Sequence, residues 1–449
     1  MKKLSLFLII SKLAFAQTIS FEEALNQTIE NSKDLQKQKI NIDIAKTNSD
    51  FIDGLNFGKV SLNSDISRTN HSGYVFMGKL SSREATFKDF GFAQNTGDMN
   101  IAPKDLNYPD SYTSINSYIS YDLPLFTGFA LYHQKGILKL QEKANEILYN
   151  LDKKTLEFEV LKAYNSAVLA KDFVKTMQKA KDTIGFIKNG AKEFHKNGLV
   201  TKIDVNEAEL YFLNTNSNLI EAENNFKLSL AYLKFLTSND NISDVENLQN
   251  TYLEIKEFED LYKIALKNRD EITLQNISIE ANNKNIKANQ GSYYPSVFTH
   301  LEYGYNDYKF STSKDKDYYM ALLGISLTLF DGTRSAKLEK SRLEYLKAKL
   351  DFEKLQDGIK LEVQKAILDY KAKQEILKEK ILASELASSV LNQAKLQYKN
   401  RLISMTTLLS QETNYRQSQT MLLNAKYENS LALARLNLVL GQNLQKDYK

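Results

Sequence analysis

The sequence contains one plan twice, and this internal repeat constrains the fold more than any other feature. Leu125–Gly128 recurs as Leu329–Gly332 and Lys196–Leu199 recurs as Lys399–Leu402, each with one change. Apolar residues recur at matching spacing between these anchors. Because repetition on this scale marks two copies of one structural unit, each half predicts the organisation of the other.

The distribution of proline separates helical from extended parts. The chain has only 4 prolines (Pro103, Pro109, Pro124 and Pro295), and residues 125–294 and 296–449 contain none. Proline breaks helix interiors, so these long stretches, rich in Leu, Lys, Glu, Ala and Gln, predict long helices. The regions near 55–128 and 295–332 are rich in Tyr, Ser, Thr, Gly and Phe, which predicts strands.

The predicted strands alternate between apolar and polar residues, clearly over 115–125 and 321–329. Such alternation is typical of a transmembrane barrel, with lipid outside and water inside. A half-buried sheet of a soluble protein alternates in the same way. The alternation alone leaves both possibilities open, and the N-terminus favours the barrel.

The N-terminus resembles a secretory signal peptide. Lys2 and Lys3 precede the apolar stretch 4–10, and Ala14–Ala16 forms an A-x-A cleavage site, so Gln17 is the expected first mature residue. The apolar stretch is shorter than the roughly 20 residues of a membrane helix. With 0 cysteines, the chain has no disulfide and no lipoprotein acylation site.

Composition and motifs argue against catalysis and nucleic-acid binding. The formal net charge is +4, and the signal segment supplies three of the basic residues, so the mature chain is nearly neutral. The 4 histidines are dispersed, with no metal-ligand partner at helical spacing. We find no nucleophile elbow, phosphate loop or paired catalytic carboxylates. We therefore expect no enzyme, no cofactor and no metal site.

The helices carry two apolar stripes, which predicts two helical neighbours for each. A closed ring of helices fits this pattern, and a long periplasmic coiled-coil protein remains open for the helices alone. Four strands per chain cannot close a barrel, because bacterial single-chain barrels begin at about 8 strands. Two chains would supply eight strands, whose interior side chains would nearly fill, whereas three chains supply twelve, enough for a lumen, so we expect a homotrimer.

Several motifs resemble the TolC family of outer-membrane efflux proteins over nearly the whole mature chain. They are Leu123–Gly128, Ser326–Gly332, Phe194–Val205, Tyr398–Asn400 and Ala432–Gly441. The resemblance implies a fold that is mainly α with a transmembrane β part, a trimeric 12-strand β-barrel continued by an α-helical tunnel in the periplasm. It also implies docking to a periplasmic adaptor and an inner-membrane transporter of the RND or ABC type. Small-molecule efflux and protein export both stay open, as does a soluble periplasmic coiled-coil adaptor or scaffold.

The expected organisation follows from the repeat. It comprises a signal peptide (1–16), a first repeat (17–236), a connecting segment (237–257) and a second repeat (258–449). The first repeat holds a β-hairpin near 55–128, with a long loop at 69–110, and a helical hairpin near 130–236. The second holds a β-hairpin near 295–332 and a helical hairpin near 333–441.

Two sets of residues are candidates for function. Gly198, Thr201 and Asp204 form a helix stop followed by an N-cap and its acidic partner, predicted to re-aim a helix partway along the tunnel. Arg401 replaces the glycine in the second copy, which predicts a less sharply broken helix there.

The resemblance also places a narrow periplasmic aperture, lined by acidic residues, at a helix tip. Asp172, Asp369 and Glu375 are the candidates for its ring of charge, where focused fields would select permeants. A solvated helix tip explains each of them equally well. The role of the apolar loop at 69–110 stays open.

Overall fold

A computed structural model describes residues 17–247 and 257–442. The predicted signal peptide at 1–16 and part of the connecting segment lie outside the described residues. The chain forms two compact units, and the boundaries between them fall within four of its helices. One unit contains Ile42–Ala144 and Ile277–Lys349, and the other contains the remaining described residues.

The chain is mainly α with two sheets, as the sequence predicts. The helices are α1 Phe21–Asn31, α2 Lys33–Asn56, α3 Ser72–Ser81, α4 Lys104–Asn107, α5 Ala130–Lys196, α6 Lys202–Thr237, α7 Phe258–Asn268, α8 Asp270–Gln290, α9 Arg334–Lys399 and α10 Met405–Val439. The strands are β1 Gln17–Ile19, β2 Lys59–Thr69, β3 Tyr112–Thr127, β4 Ile242–Val245, β5 Ser296–Asp307 and β6 Asp317–Ser326.

The larger sheet has four antiparallel strands in the order β2-β3-β5-β6. Within each β-hairpin the two strands pair with each other, β2 with β3 and β5 with β6. The pairing of β3 with β5 joins the two repeats. One irregularity interrupts this joining ladder, between Pro124 and Phe126, where proline cannot donate a ladder hydrogen bond. The smaller sheet pairs β1 with β4 in parallel.

In the other unit, α5 and α6 form an antiparallel hairpin. Lys192 forms an ion pair of 3.1 Å with Glu209, and the Lys188 ammonium lies 3.6 Å from the Phe212 ring centroid. Farther from the turn, Met177 packs in one cluster with Leu219. The contacting residues of α5 and α6 are more widely separated in sequence the farther they lie from the turn. The two helices therefore run in opposite directions.

The second helical hairpin, α9 with α10, runs the same way. Gln419 donates a hydrogen bond of 2.5 Å to Ser384, and Lys373 lies 3.4 Å from Glu428. Because neither proline nor glycine interrupts residues 359–399, α9 continues without a break to Lys399.

The core of this unit follows the internal repeat. Val160 and Val363, which occupy equivalent positions, are both fully buried, and Ala163 and Ala366 are buried beside them. The first cluster gathers α1, α5, α6, β1 and β4 together with Ala434 of α10, while the second gathers α7, α9 and α10. Both clusters are built on the same helical stripe, and α10 contributes to both.

Candidate functional site

One face of the larger sheet is apolar and exposed. Leu323 and Ile325 on β6 are 66% and 71% exposed, and β2 presents Val60, Leu62 and Ile66 on the same side. A soluble sheet buries such a face against a second layer. This face of the sheet therefore has the character of a surface that contacts lipid.

The opposite face is polar and carries a charged network. His300 Nδ1 lies 2.6 Å from Asp122 Oδ1, and its Nε2 lies 3.2 Å from Glu302 Oε2. Tyr318 donates to Glu302 from the neighbouring strand, while Lys59 stands opposite Asp122 in the ladder. No group of His, Asp or Glu within the described ranges can hold a metal ion. The network gives this face the character of a wetted surface.

The sheet ends at two open edges, because β2 and β6 each pair on one side only within the described chain. Open strand edges expose unpaired backbone groups, which a membrane interior does not tolerate. Within residues 17–247 and 257–442, no helix is both long and apolar enough to cross a membrane.

The strand-to-helix junctions of the two repeats differ in packing. Gly128 adopts φ +61, and a Cβ added there would lie 2.2 Å from the carbonyl oxygen of Gly291. A Cβ on Gly291 would in turn lie 2.6 Å from the carbonyl oxygen of Gly128. In the second repeat, Gly332 has open space around its Cβ position. Of these two junctions, only the first brings two backbone segments so close together that both Gly128 and Gly291 lack room for a Cβ.

The helix stop and cap predicted at Gly198, Thr201 and Asp204 have the expected local geometry. Gly198 adopts φ +71, after which the Thr201 side chain accepts a hydrogen bond from the Asp204 backbone N–H. The Asp204 carboxylate accepts from the Thr201 N–H at 2.8 Å, which completes a capping box. These bonds satisfy backbone donors that the first turn of α6 leaves free.

The prediction that this motif re-aims a helix partway along the tunnel is wrong, because the chain reverses its direction here. The antiparallel contacts of α5 and α6 place Gly198 at the end of the hairpin. The second copy also turns fully, since Arg401 adopts φ +63, the left-handed conformation of Gly198. The expectation of a gentler break at Arg401 is therefore wrong. Arginine tolerates this conformation at a cost of about 1–2 kcal/mol.

The two helical turns lie side by side at the same end of this unit. The Phe194 and Tyr398 rings are 6.1 Å apart, and the Thr406 hydroxyl donates to Glu207 at 3.0 Å. Burial raises the pKa of Tyr398, and the negative charge of Asp204 raises it further. The repeat thus brings its two copies of the turn into one contact.

The three aperture candidates do not lie at a helix tip. Asp172 is within α5 and forms an ion pair of 2.9 Å with Lys175. Asp369 and Glu375 lie within α9, and Glu375 is 2.7 Å from Lys378. No hydrogen bond or ion pair within the described chain joins Asp172 to either of the other two. The tip placement is wrong because both long helices continue beyond these residues, and the role at an aperture stays a prediction.

The helix α10 carries a buried carboxylate that was not predicted from the sequence. Glu412 is 1% exposed and lies 3.7 Å from the Arg416 guanidinium. It lines a cavity of about 370 Å³ between α5, α9 and α10 that also holds Lys175, Lys179 and Lys395. The signal was present in the sequence, because Glu412 interrupts the apolar stripe that begins at Met405 and Leu408.

Burial raises the pKa of Glu412, and the nearby Arg416 charge offsets only part of this effect. The folded state therefore keeps the proton to higher pH than the unfolded state. Stability falls as pH rises from the ordinary glutamate pKa through the raised one. We expect Glu412→Gln to remove this fall and to stabilise the protein by about 1 kcal/mol near neutral pH.

Thermal unfolding of the detergent-extracted protein between about pH 4 and pH 8 measures this effect. The matched control is Glu375→Gln, because Glu375 is an exposed glutamate on α9. The control should leave the pH dependence unchanged. An equal pH dependence in wild type and Glu412→Gln would contradict the prediction.

The described fold matches known outer-membrane channels. Residues 261–442 match the family model "Outer membrane efflux protein". CusC superimposes with a TM-score of 0.78 at 14% identity, covering 95% of this chain and 93% of its own. Over residues 261–442 the chain therefore resembles outer membrane efflux proteins.

Two further channels have the same fold as this chain. Neisseria gonorrhoeae MtrE in its open state superimposes with a TM-score of 0.76 at 14% identity, covering 95% of this chain and 90% of its own. Campylobacter jejuni CmeC gives 0.74 at 14%, covering 94% and 85%. No curated protein sequence matches significantly. The resemblance to the TolC family and the predicted fold class are thereby confirmed.

Proposed function

We propose that three copies of this chain form an efflux channel in the outer membrane, with twelve pooled strands closing one barrel. The observation that carries the proposal is the two-faced sheet with an open edge at β2 and at β6. In a closed barrel the edges pair between copies, the apolar face meets lipid and the polar face lines water. A soluble coiled-coil adaptor, the alternative, would leave this apolar face in water.

Exposed apolar seams on two helices support packing between copies. Leu361, Leu368 and Leu382 on α9 step by multiples of seven, and all three are exposed in the single chain. On α6 the exposed apolar residues are Ile203, Leu210, Leu213, Ile220, Leu228 and Phe235. A seven-residue apolar period is the pattern of helices that pack side by side. These seams are the surfaces on which helices of neighbouring copies would complete a ring.

The channel would act as a passive exit duct of a tripartite pump or a type I secretion system. Its partners would be a periplasmic adaptor and an inner-membrane transporter, of the RND or ABC type, and the transporter would supply the energy. The signal-like segment 1–16 would direct the chain out of the cytoplasm, after which the sheet would assemble in the outer membrane.

The mass and conductance of the complex test this proposal. Outer membranes are extracted with detergent, the bound detergent is subtracted and the purified complex is added to a planar bilayer. Three mature chains that conduct ions are the expected result. A water-soluble monomer or dimer, recovered from the periplasm without detergent, would refute the channel and favour the coiled-coil adaptor.

We also propose that Asp172, Asp369 and Glu375 line a narrow, cation-attracting part of the pathway. Asp172→Ala should lower the preference for cations, because three copies would lose one negative charge each near the permeating ions. Reversal potentials in a salt gradient measure this preference. Asp369→Ala and Glu375→Ala are tested in parallel, and a residue whose removal leaves the preference unchanged does not line the pathway.

A further inference from the structure

The segment 70–111, between β2 and β3, is a folded element with its own apolar contacts. The Phe76 and Phe90 rings meet edge to face at 5.0 Å, and Phe87 meets Phe92 at 5.5 Å. An ion pair of 2.5 Å joins Lys79, at the end of α3, to Asp89. These contacts hold the segment, here named the insertion, in one conformation.

The insertion packs onto one particular face of the larger sheet. Its helix α3 lies against β3 and β5. A Cβ added to Gly78 would lie 3.1 Å from the Tyr112 ring and 3.6 Å from the Ser114 Cβ. Ser114 in turn donates to Asn306 of β5 at 3.3 Å. The face that carries α3 is therefore the face that carries Tyr112 and Ser114.

This is the polar face. Residues two apart on a strand share a face, so Ser114 lies on the same side as Asn116, Tyr118, Ser120 and Asp122. The Tyr318 hydroxyl also lies 2.9 Å from the Asn116 side-chain oxygen, which extends the same face to β6. In a barrel with lipid outside, this face lines the lumen. The helix α3 would accordingly lie inside the barrel.

Two basic residues fasten the insertion to the turn between β5 and β6. The Arg83 guanidinium donates to the carbonyl oxygens of Asp315 at 2.9 Å and Asp317 at 2.7 Å. In the opposite direction, Lys316 donates to the Ser82 carbonyl at 2.5 Å and to Glu84 at 2.9 Å. Each hairpin thus contributes a cation that binds the other hairpin.

The bonds between the insertion and the β5–β6 turn lie beside a side chain that is buried from solvent. Ser82 is fully buried, and its hydroxyl lies 2.7 Å from the Tyr112 hydroxyl, whose oxygen in turn is 3.1 Å from Glu84. Arg83 adopts φ +55, a conformation that costs arginine about 1–2 kcal/mol. The hydrogen bonds of its guanidinium offset this strain only while the two hairpins stay together.

We propose that the insertion folds into the barrel lumen as a constriction, held there by the reciprocal bonds of Arg83 and Lys316. This inference rests on the proposed barrel. Three copies would place three α3 helices within one lumen, which narrows the exit and limits the size of the solutes that pass. The insertion is then the element that sets the width of the channel at this end of the sheet.

A shortened chain tests the constriction directly. Thr69 and Tyr112 are ladder partners, so a short Gly-Ser turn can replace residues 70–111 and preserve the hairpin. We expect the shortened trimer to conduct roughly twofold more or better in a planar bilayer, because a wider lumen offers less resistance. The double variant Arg83→Ala/Lys316→Ala should also conduct more, with larger fluctuations of the open-channel current.

The control is Lys88→Ala, which removes one positive charge from the same insertion at a residue that takes no part in the bonds of Arg83 and Lys316. This variant should leave conductance unchanged. An unchanged conductance of a trimeric, membrane-inserted shortened chain would overturn the constriction and leave the channel proposal intact. A full-length protein that is neither trimeric nor conducting would instead overturn the channel proposal, and the constriction with it.

Chemical labelling keeps the inference testable if the shortened chain does not assemble. The native chain has 0 cysteines, so Met77→Cys introduces one thiol, on α3. Met77 is 58% exposed and would face the lumen. A bulky charged thiol reagent should reduce the current through Met77→Cys by about half or more. A current that does not change after complete labelling would overturn the constriction.

Discussion

Replacing Leu323 with arginine is expected to abolish assembly of the channel in the outer membrane. Leu323 is exposed in the middle of the apolar face of β6, where the proposed barrel meets lipid. Arginine on a lipid-facing strand costs about 2–4 kcal/mol near the bilayer centre. Three copies multiply this cost, so a trimer would lose about 6–12 kcal/mol. The amount of trimer in the outer-membrane fraction measures the effect.

The adjacent residue offers a matched control. Leu322 lies on the opposite face of the same strand, directly across from His300 in the ladder. Leu322→Arg therefore introduces the same charge one residue away, close to the acidic Asp122 and Glu302 of the polar face. We expect this variant to assemble. If Leu322→Arg and Leu323→Arg behave alike, the assignment of the two faces to water and lipid is wrong.

Gly128→Ala is expected to destabilise the strand-to-helix junction of the first repeat by about 3 kcal/mol or more. The left-handed φ of Gly128 alone costs alanine about 1–2 kcal/mol. The added Cβ would also lie 2.2 Å from the Gly291 carbonyl oxygen, so two backbone segments would have to separate. The temperature at which the extracted trimer dissociates should fall by many degrees.

The internal repeat supplies the control for this variant. Gly332 ends the equivalent Leu329–Gly332 motif, and no atom lies within 4 Å of its Cβ position. Gly332→Ala should leave the dissociation temperature nearly unchanged. Equal losses in both variants would mean that the two junctions pack alike in the assembled trimer, contrary to their difference in the single chain.

The sequence by itself determined the architecture of this protein, because the relevant signals are local or periodic. The scarcity of proline fixes long helices, alternation fixes the strands, and the repeat fixes their order. The capping box of Thr201 with Asp204 was also readable, since a cap depends on residues only three apart. Leu323 and Leu322 could be assigned to opposite faces from their positions alone.

Only the tertiary structure decided where the helices end and what meets across distant parts of the chain. Arg401 shows that a turn can form where the local residue disfavours it, because packing of α9 against α10 imposes the reversal. Glu412 is buried only because three helices enclose it. The position of the insertion depends on bonds from Arg83 and Lys316 between segments more than two hundred residues apart. Such contacts leave no periodic trace in a sequence, since each depends on the fold that brings its partners together.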